Sequence, residues 1–456
     1  MQPEVLWAPQ AWVGGRWRDS VVLQVGAHGH WSAVTAEAPC PDHATRLTGA
    51  ALPGLVNAHS HAFQRAFVGQ AETRDSAHDD FWSWRDRMYR VALRITPEQL
   101  RAVAAHLYIE LLRGGYTQVC EFHYLQHAPD GGRYGDPAAM CWALADAAAD
   151  AGIGLTILPV LYERAGFQQT TLRDDQRRFK TTAHEVMALR DTVANSQRAL
   201  TNAGLAIHSL RAASPASMRT LIDGAGAGPV HIHVAEQTAE VDDCLAATGC
   251  RPIEWLAKHA PLDKRWQLVH ATHSTPGEID AVDKSGAGVV LCPGTEANLG
   301  DGVADLSGWL AAGVPLSIGS DSQVTRSWSE ELRWLEYGQR LVQRRRNVAA
   351  SPASGQPSSA ARLFERVRAG GAAAAGFTCW GLQVGARADL LVLNGADPAL
   401  LGLPRQHALD AAVFAAPTQP FSDVMVAGQW RLRGQQHTGQ RAIASEFVAA
   451  MASLQA

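Results

Sequence analysis

The stretch LPGLVNAHSH (52–61) is a short apolar run that ends in two histidines, and it sets the pattern for the middle of the chain. Seven more runs of similar length follow it, separated by helical stretches, and each ends in polar or glycine-rich residues. They are TQVCEFHY (117–124), IGLTILPVLY (153–162), LAIHSL (205–210), PVHIHVAE (229–236), QLVHATH (267–273), AGVVLCPG (287–294) and PLSIGSD (315–321). Eight runs that alternate with helices predict an α/β fold, a (β/α)8 TIM-type barrel, with a doubly wound open sheet as the alternative.

Helix start signals support this alternation. A polar N-cap residue directly before a proline predicts that a helix begins at that proline. Four such residues lie between the apolar runs, namely Thr96, Asp136, Ser214 and Thr275. The segment 322–376 is expected to be largely helical and to close the barrel.

The two ends of the chain have a different sequence pattern from the middle. Short strand-like runs broken by glycine fill residues 1–50 and return in 377–440. Because chain termini often lie close together, we expect these two segments to form one small β-sandwich domain around a barrel of residues 51–376. Residues 441–456 are expected to form a C-terminal helix.

Composition excludes several classes of protein. The chain has 456 residues, of which 46% are hydrophobic and 18% charged, as in a soluble globular protein. A net charge of −4 gives no electrostatic reason for a nucleic-acid partner. Seven cysteines without a CxxC pair argue against a disulfide framework, and no apolar run is long enough to span a membrane. With no secretory signal at its start, the chain is expected in the cytoplasm.

Chemistry-bearing residues end several of the runs. His59 and His61 are two residues apart, so in a strand both imidazoles point to the same side, as two ligands of one metal ion must. The fifth run carries His231, His233 and Glu236. His231 and His233 share a face, but His233 lies nearer the C-terminal end of the strand, where a barrel places its site. His231 is therefore interpreted as a hydrogen-bonded interior residue.

His270 ends the sixth run and Asp321 ends the eighth. Alone, each has a simple structural explanation, a loop histidine or a capping aspartate. Together, four strands deliver imidazoles and carboxylates to one end of the barrel. Three imidazoles and a carboxylate suit a divalent ion such as Zn²⁺, which lowers the pKa of its bound water to about 7. The sequence therefore predicts a metal-dependent hydrolase.

The order HxH, HxxE, H and SD, behind an LPG-L-x-N segment, resembles the amidohydrolase superfamily of metal-dependent hydrolases. The likeness covers nearly the whole chain, since VGARADLLVLNG (384–395) and VMVAGQW (424–430) are similar to that superfamily's small second domain. Within it, the chain resembles the formimidoylglutamate deiminases, which hydrolyse N-formimino-L-glutamate to N-formyl-L-glutamate and ammonia in histidine degradation. The stretches that carry this resemblance are HSHAFQRA (59–66), FWSWRDRMY (81–89), EFHY (121–124) and CPGTEANLGDG (292–302).

The resemblance implies four metal ligands, namely His59, His61, His233 and Asp321. The lysine that is carboxylated in relatives with two metal ions is absent from LAIHSLRA (205–212), so one ion per subunit is expected. Zn²⁺ is the expected ion, although iron would accept the same ligands. His270 is implied to lie beside the metal without binding it.

The implied catalytic residues are Glu236, His270 and Asp321. Glu236 is placed to protonate the departing nitrogen, while Asp321 or His270 accepts the proton of the attacking water. A substrate with two carboxylates calls for cations, and Arg211 lies just past the fourth run. The resemblance adds four substrate-binding residues, namely Gln64, Arg85, Tyr124 and His208. Without it, Arg85 would be interpreted as part of a surface helix.

Two other functions remain open on the sequence. Another deaminase of the superfamily would act on guanine or a related ring, and a non-catalytic assembly protein could use the same scaffold. The two arginines favour a dianionic substrate over a planar base, and such assembly proteins lose metal ligands that are present here. A homodimer is expected. One departure from the family pattern is Gly294, where a bulkier residue is expected.

Overall fold

The chain builds two nine-stranded sheets in the computed structural model, which describes residues 4–73, 81–416 and 419–455. The first sheet begins with a hairpin at Gly14 and Gly15, both of which have positive φ. Its N-terminal strands are β1 (Val5–Val13), β2 (Arg16–Val25), β3 (Trp31–Thr35), β4 (Thr45–Arg46) and β5 (Ala51–Leu52).

The second sheet is the predicted barrel, and its neighbouring strands are parallel. Two short strands on either side of Gly204 share the fourth position, because both pair with the third strand. The strands are β6 (Leu55–Ser60), β7 (Tyr116–His123), β8 (Gly154–Leu161), β9 (Thr201–Ala203), β10 (Leu205–Ile207), β11 (Val230–Val234), β12 (Trp266–His270), β13 (Gly288–Leu291) and β14 (Leu316–Ile318).

A parallel bridge between Ser60 and Asp321 brings the end of the last barrel strand back to the first. The amide of Asp321 donates to the carbonyl of His59 at 3.0 Å, and the amide of His61 donates to the carbonyl of Asp321 at 3.2 Å. The sequence-based choice of a barrel over an open sheet is confirmed. The chain then returns to the first sheet with β15 (Leu390–Leu393), β16 (Phe421–Val426), β17 (Gln429–Arg433) and β18 (Gln436–His437).

Helices follow most barrel strands and cover the outside of the barrel. They are α1 (Phe81–Ala92), α2 (Pro97–Arg113), α3 (Ala139–Ala151), α4 (Ala183–Asn195), α5 (Pro215–Asp223), α6 (Thr238–Thr248), α7 (Pro252–His259), α8 (Pro276–Ser285), α9 (Pro293–Leu299), α10 (Leu306–Ala312), α11 (Trp328–Gln343), α12 (Ser359–Ala374), α13 (Ala408–Phe414) and α14 (Gln440–Gln455). Short 3-10 helices cover Ala62–Phe67, Asp174–Phe179, Pro352–Ser354 and Arg405–His407.

Three of the four predicted helix starts are confirmed. Thr96, Ser214 and Thr275 each accept a hydrogen bond from a backbone amide in the first turn of their helix. Asp136 was predicted as a fourth N-cap, and this prediction is wrong. Its side chain instead accepts a hydrogen bond from the amide of Ala138. Helix α3 begins at Ala139, two residues after the predicted start at Pro137.

The terminal sheet is one mixed sheet with apolar contacts on both faces. In β15, Leu391 and Leu393 join the core of the barrel, whereas Leu390 and Val392 join a separate cluster within the terminal sheet. This alternation is the side-chain period of a strand that is covered on both sides. The domain boundaries given above stay a proposal.

A buried ion pair lies where the two sheets meet. Arg387 binds Asp389 at 2.9 and 2.7 Å through two nitrogens, and both side chains are less than one tenth exposed. The guanidinium also donates to Gln118 Oε1 and to the carbonyl of Thr117, both in β7. The pair therefore connects the terminal sheet to the N-terminal end of barrel strand β7.

Within the described residues, no helix combines the length and the apolar character needed to cross a membrane.

Candidate active site

Four side chains at the C-terminal ends of the barrel strands converge on one point. The Nε2 atoms of His59 and His61 are 3.2 Å apart, and those of His59 and His233 are 3.0 Å apart. Asp321 Oδ1 lies 3.5 Å from the Nε2 of His59 and 3.4 Å from that of His61. All four residues are buried. The structure thus brings together the four residues predicted as metal ligands.

This spacing fits a single divalent ion. Zinc–nitrogen bonds are about 2.0–2.1 Å long, so two nitrogens on one tetrahedral ion lie about 3.3–3.4 Å apart. The histidine separations of 3.2 and 3.0 Å are slightly shorter than this value, and the three imidazoles form a group able to hold a metal ion. His231 shares a face with His233 but does not join this group. Its Nε2 lies 2.9 Å from the carbonyl oxygen of Ala374, and the residue is fully buried.

Protonation states also suit a cation. Burial lowers the pKa of His59 to about 3, and it lowers the pKa values of His61 and His233 as well. For Asp321 burial acts in the opposite sense, but the hydrogen bond with His59 and the nearby imidazoles hold the pKa of this carboxyl below its usual value. Neutral imidazoles and an ionised carboxylate are the forms that bind divalent metals.

His270 and Glu236 lie beside the four predicted ligands as a second group. His270 Nε2 is 3.7 Å from Glu236 Oε1 and 3.8 Å from Asp321 Oδ2. Burial alone would lower the pKa of His270, but the carboxylates of Glu236, Glu296 and Asp321 raise it to about 10. Burial raises the pKa of Glu236 to about 7. Glu236 can therefore exchange a proton near neutrality beside the imidazole of His270.

A cavity of about 730 Å³ opens onto these groups. Among the residues that line it are all five predicted to bind substrate, namely Gln64, Arg85, Tyr124, His208 and Arg211. Gln64 Nε2 donates to the hydroxyl of Tyr124 at 3.2 Å, so these two side chains orient each other. Arg85 does lie on a helix, α1, but it lines the cavity and is only partly exposed. Two guanidinium groups thus share the cavity with the metal-site residues.

Some residues of the site were missed by sequence reasoning. Tyr162 and Gln176 line the cavity and are joined by a hydrogen bond of 2.9 Å. Glu121 is 2% exposed and accepts from the amide of Ala62, just after the HxH pair, while burial raises its pKa to about 8. The sequence did offer one signal for Glu121, namely a glutamate within an apolar run. A buried carboxyl group needs a hydrogen-bonding or charged partner, and such a partner indicates a specific role. No sequence signal connects Tyr162 with Gln176.

The backbone leaves the strand conformation where the barrel delivers these side chains. Ala235, His270, Ala271 and Asp321 have φ values between 44° and 69°, in the left-handed region that residues other than glycine rarely adopt. Such strained positions cluster at functional sites, where the surrounding structure holds them. Here each turn lies at the C-terminal end of a barrel strand, so both the turn and the strand determine the direction of these side chains.

The glycine at position 294 has a steric explanation. A Cβ atom at this position would lie 2.5 Å from Thr325 Oγ1 and 2.6 Å from Thr325 Cγ2. The amide of Gly294 also donates to Glu331 at 2.9 Å. The bulkier residue expected from the family pattern is excluded because Thr325 occupies the space.

Comparison with known proteins agrees with this geometry. The amidohydrolase family matches residues 50–431. A formimidoylglutamate deiminase from Pseudomonas aeruginosa is 45% identical over 451 residues, which cover 98% of this chain and 99% of that protein. The crystal structure of an amidohydrolase from Brucella melitensis is 38% identical, with a TM-score of 0.94 over 99% of this chain and 100% of that chain.

A zinc-containing structure is more distant. An adenosine deaminase from Xanthomonas campestris with bound zinc has a TM-score of 0.81 over 99% of this chain and 98% of that chain, but only 22% identity. This likeness shows the shared fold alone.

Proposed function

The chain belongs to the amidohydrolase family and is a hydrolase of a carbon–nitrogen bond, and from that premise we propose that it converts N-formimino-L-glutamate into N-formyl-L-glutamate and ammonia in histidine degradation. One observation carries the proposal: Arg85 and Arg211 line the same cavity as the histidines and carboxylates of the metal site. Two guanidinium groups match a substrate with two carboxylates. The identity of 45% with a formimidoylglutamate deiminase supports the same substrate.

His59, His61, His233 and Asp321 are the residues that would hold the metal, and we propose one zinc ion per subunit. Their separations and protonation states support this choice, as does the zinc bound by the adenosine deaminase of the same fold. Iron would accept the same ligands. When bound, a divalent ion lowers the pKa of water to about 7 and thereby supplies a nucleophile at neutral pH.

Hydrolysis adds the oxygen of one water molecule to the formimino carbon and breaks the bond between that carbon and its terminal nitrogen. The attacking water must give up both of its protons, and the terminal nitrogen must gain two to leave as ammonia. We assign the first task to His270 or Asp321, whose side chains lie 3.8 Å apart. We assign the second task to Glu236, which is 3.7 Å from His270 and whose raised pKa of about 7 lets it carry a proton near neutrality.

The remainder of the cavity would hold the glutamate part of the substrate. Arg85 and Arg211 would bind its two carboxylates, and hydrogen bonds to charged groups contribute roughly 1.5–3 kcal/mol each. Gln64 and Tyr124, which are hydrogen-bonded to each other, would contact the same molecule between the arginines and the metal site. His208 completes the proposed pocket.

The decisive experiment measures ammonia release by the zinc-loaded protein from formiminoglutamate and from guanine in parallel. Deimination of formiminoglutamate with little or no release from guanine is expected. The reverse preference would identify a ring deaminase. No turnover of either compound by protein with a full complement of zinc would favour the non-catalytic alternative.

Carboxylate recognition is tested by Arg211→Met. Loss of one charged contact should raise KM for formiminoglutamate by about 10- to 100-fold, with a smaller effect on kcat. Arg219→Met is a suitable control, because Arg219 is exposed on the neighbouring helix α5. An unchanged KM for the Arg211 variant would place carboxylate recognition elsewhere.

We also propose that the protein is a cytoplasmic homodimer with no nucleic-acid or membrane partner. The balanced composition that gives a net charge of −4 supports the absence of a nucleic-acid partner. Light scattering coupled to gel filtration would measure the mass, and twice the chain mass of 48.9 kDa is expected.

A further inference from the structure

Glu296 faces His270 from the side opposite the metal site. It lies in the first turn of α9, is 4% exposed, and places Oε1 3.4 Å from His270 Nδ1. The same oxygen accepts the amide hydrogen of Cys292 at 2.9 Å. The carboxylate is thus fixed by the helix start, and the imidazole contacts it through the nitrogen that does not face the metal site.

The other ring nitrogen of His270 points to the reaction centre. Nε2 lies within 4 Å of carboxylate oxygens of both Glu236 and Asp321. The strand alone does not set the orientation of this ring, because His270 has a φ of 69° and the next residue has a φ of 48°. The ring also stacks on His233, with centroids 5.5 Å apart and an interplanar angle of 27°. Stacking restrains the plane of the ring but leaves open which nitrogen carries the proton.

We infer that Glu296 is a positioning residue that holds the Nδ1–H of His270 and so keeps Nε2 as the nitrogen that exchanges a proton with the reaction centre. In a neutral imidazole one nitrogen donates and the other accepts, so an acceptor at Nδ1 selects the tautomer that accepts at Nε2. A carboxylate that orients a catalytic histidine in this way is a recurring arrangement in enzymes that use histidine as a base. The inference rests on the proposed function in one respect, since it treats His270 as a proton acceptor.

A purely structural role for Glu296 is the alternative, because its carboxylate also binds the first turn of a helix. The chain offers a matched control for this role. Glu278 is likewise 4% exposed, and its carboxylate accepts from the amide of Thr275 at the start of α8. It also binds Arg251, and the described contacts do not connect it with His270. Glu278→Gln therefore perturbs a buried helix-start carboxylate without changing the imidazole.

The test compares Glu296→Gln, Glu296→Ala and Glu278→Gln in the zinc-loaded full chain. We expect Glu296→Gln to lower kcat for formiminoglutamate by about 10- to 100-fold, with KM and zinc content within about twofold of the wild type. Glu296→Ala should lower kcat at least as far, whereas Glu278→Gln should keep it. Wild-type kcat in both Glu296 variants, or a loss of kcat that follows a loss of zinc, would overturn the inference.

A second measurement needs no substrate and no variant of Glu296. In a ¹⁵N-histidine-labelled protein, the two-bond nitrogen–proton spectrum distinguishes protonated from unprotonated ring nitrogens, and His270→Gln identifies the signals. We expect Nδ1 of His270 to carry a proton in the zinc-loaded wild type. An unprotonated Nδ1 would refute the inference even if the variants failed to fold. If the wild type releases no ammonia from formiminoglutamate, the proposed function fails, but the spectrum still decides the role of Glu296.

Discussion

Two regions of the molecule bury charged side chains, and they do so in opposite ways. Where the terminal sheet meets the barrel, Arg387 and Asp389 bind each other, and backbone and amide groups satisfy the remaining hydrogen-bonding atoms. At the other end of the barrel, His270 Nε2 lies 3.7 Å from Glu236 and 3.8 Å from Asp321, beyond normal hydrogen-bond distance.

This difference indicates that the junction contributes to folding stability, whereas the other region is suited to reactivity. A buried pair with complete hydrogen bonding loses several kcal/mol when one partner is removed, because the other charge is left without compensation. A crowded set of incompletely paired groups has shifted pKa values, which suit proton transfer and metal binding. Substitutions at the junction should therefore change stability more than turnover, and substitutions at the metal site should do the reverse.

Metal removal should give the largest effect. Dialysis against a chelator is expected to abolish turnover, while the circular dichroism spectrum keeps its α/β character, because the metal site is small beside the barrel core. Addition of zinc should restore activity to the wild type but not to His59→Asn, which lacks a ligand. Full activity in protein shown by elemental analysis to hold no metal would contradict the proposed mechanism.

Glu236→Gln should come next. Without the group that we propose to protonate the departing nitrogen, kcat should fall by about 10²- to 10⁴-fold with zinc still bound. The melting temperature should not fall, because a neutral amide replaces a buried carboxyl group. Asp321→Asn provides the comparison, since it should lose both kcat and zinc affinity. A Glu236→Gln enzyme with near-normal kcat would remove Glu236 from the mechanism.

Arg387→Met tests the other region. Leaving Asp389 buried without its partner should lower the free energy of unfolding by about 3–5 kcal/mol, measured by denaturant unfolding. The kcat of the folded protein should stay within about twofold, because the ion pair lies away from the cavity. The double variant Arg387→Met/Asp389→Leu should be less destabilised than the single variant. A strong loss of kcat in well-folded Arg387→Met would break the proposed separation.

The smallest effect should come from the ion pair that joins Arg65, in the 3-10 helix Ala62–Phe67, to Glu110 in α2. Burial opposes ionisation of Glu110, but the hydrogen bonds from Arg65 outweigh it and hold the pKa of Glu110 below its usual value. A carboxyl with a lowered folded-state pKa stabilises the protein above its unfolded pKa of about 4.5, and this contribution is lost as the pH falls through the folded-state pKa. Acidification from pH 7 to pH 4 should therefore lower the melting temperature of the wild type more than that of Glu110→Gln. Parallel acid dependence of the two proteins would show that this pair contributes little.

Much of the architecture was predictable because it depends on local patterns. Apolar runs with polar ends predicted the barrel strands, and the placement of functional residues at C-terminal strand ends predicted where His59, His233 and Asp321 would meet. The exception at Asp136 is also local. Its side chain caps a turn that precedes α3, and a sequence pattern does not distinguish that turn from the helix itself.

The relations that were missed depend on pairs of residues far apart in the chain. Glu296 looks like an ordinary helix-start glutamate until the fold places His270 next to it. The junction ion pair is visible as Arg387 and Asp389, but its burial depends on contacts with β7, which lies about 270 residues earlier. Even Gly294 is explained only by the position of Thr325. Such contacts follow from tertiary packing, for which the sequence carries no local signal.

The bridge between Ser60 and Asp321 has a consequence during synthesis of the chain. The first two proposed ligands of the metal site are synthesised early and the last one about 260 residues later, so a growing chain on the ribosome holds an incomplete set of donors for most of its translation. The ion can therefore be captured in its final form only after residue 321 has emerged and the barrel has closed. With the proposed ligand set, a chain that ends before Asp321 would carry the histidines without the carboxylate that completes their site.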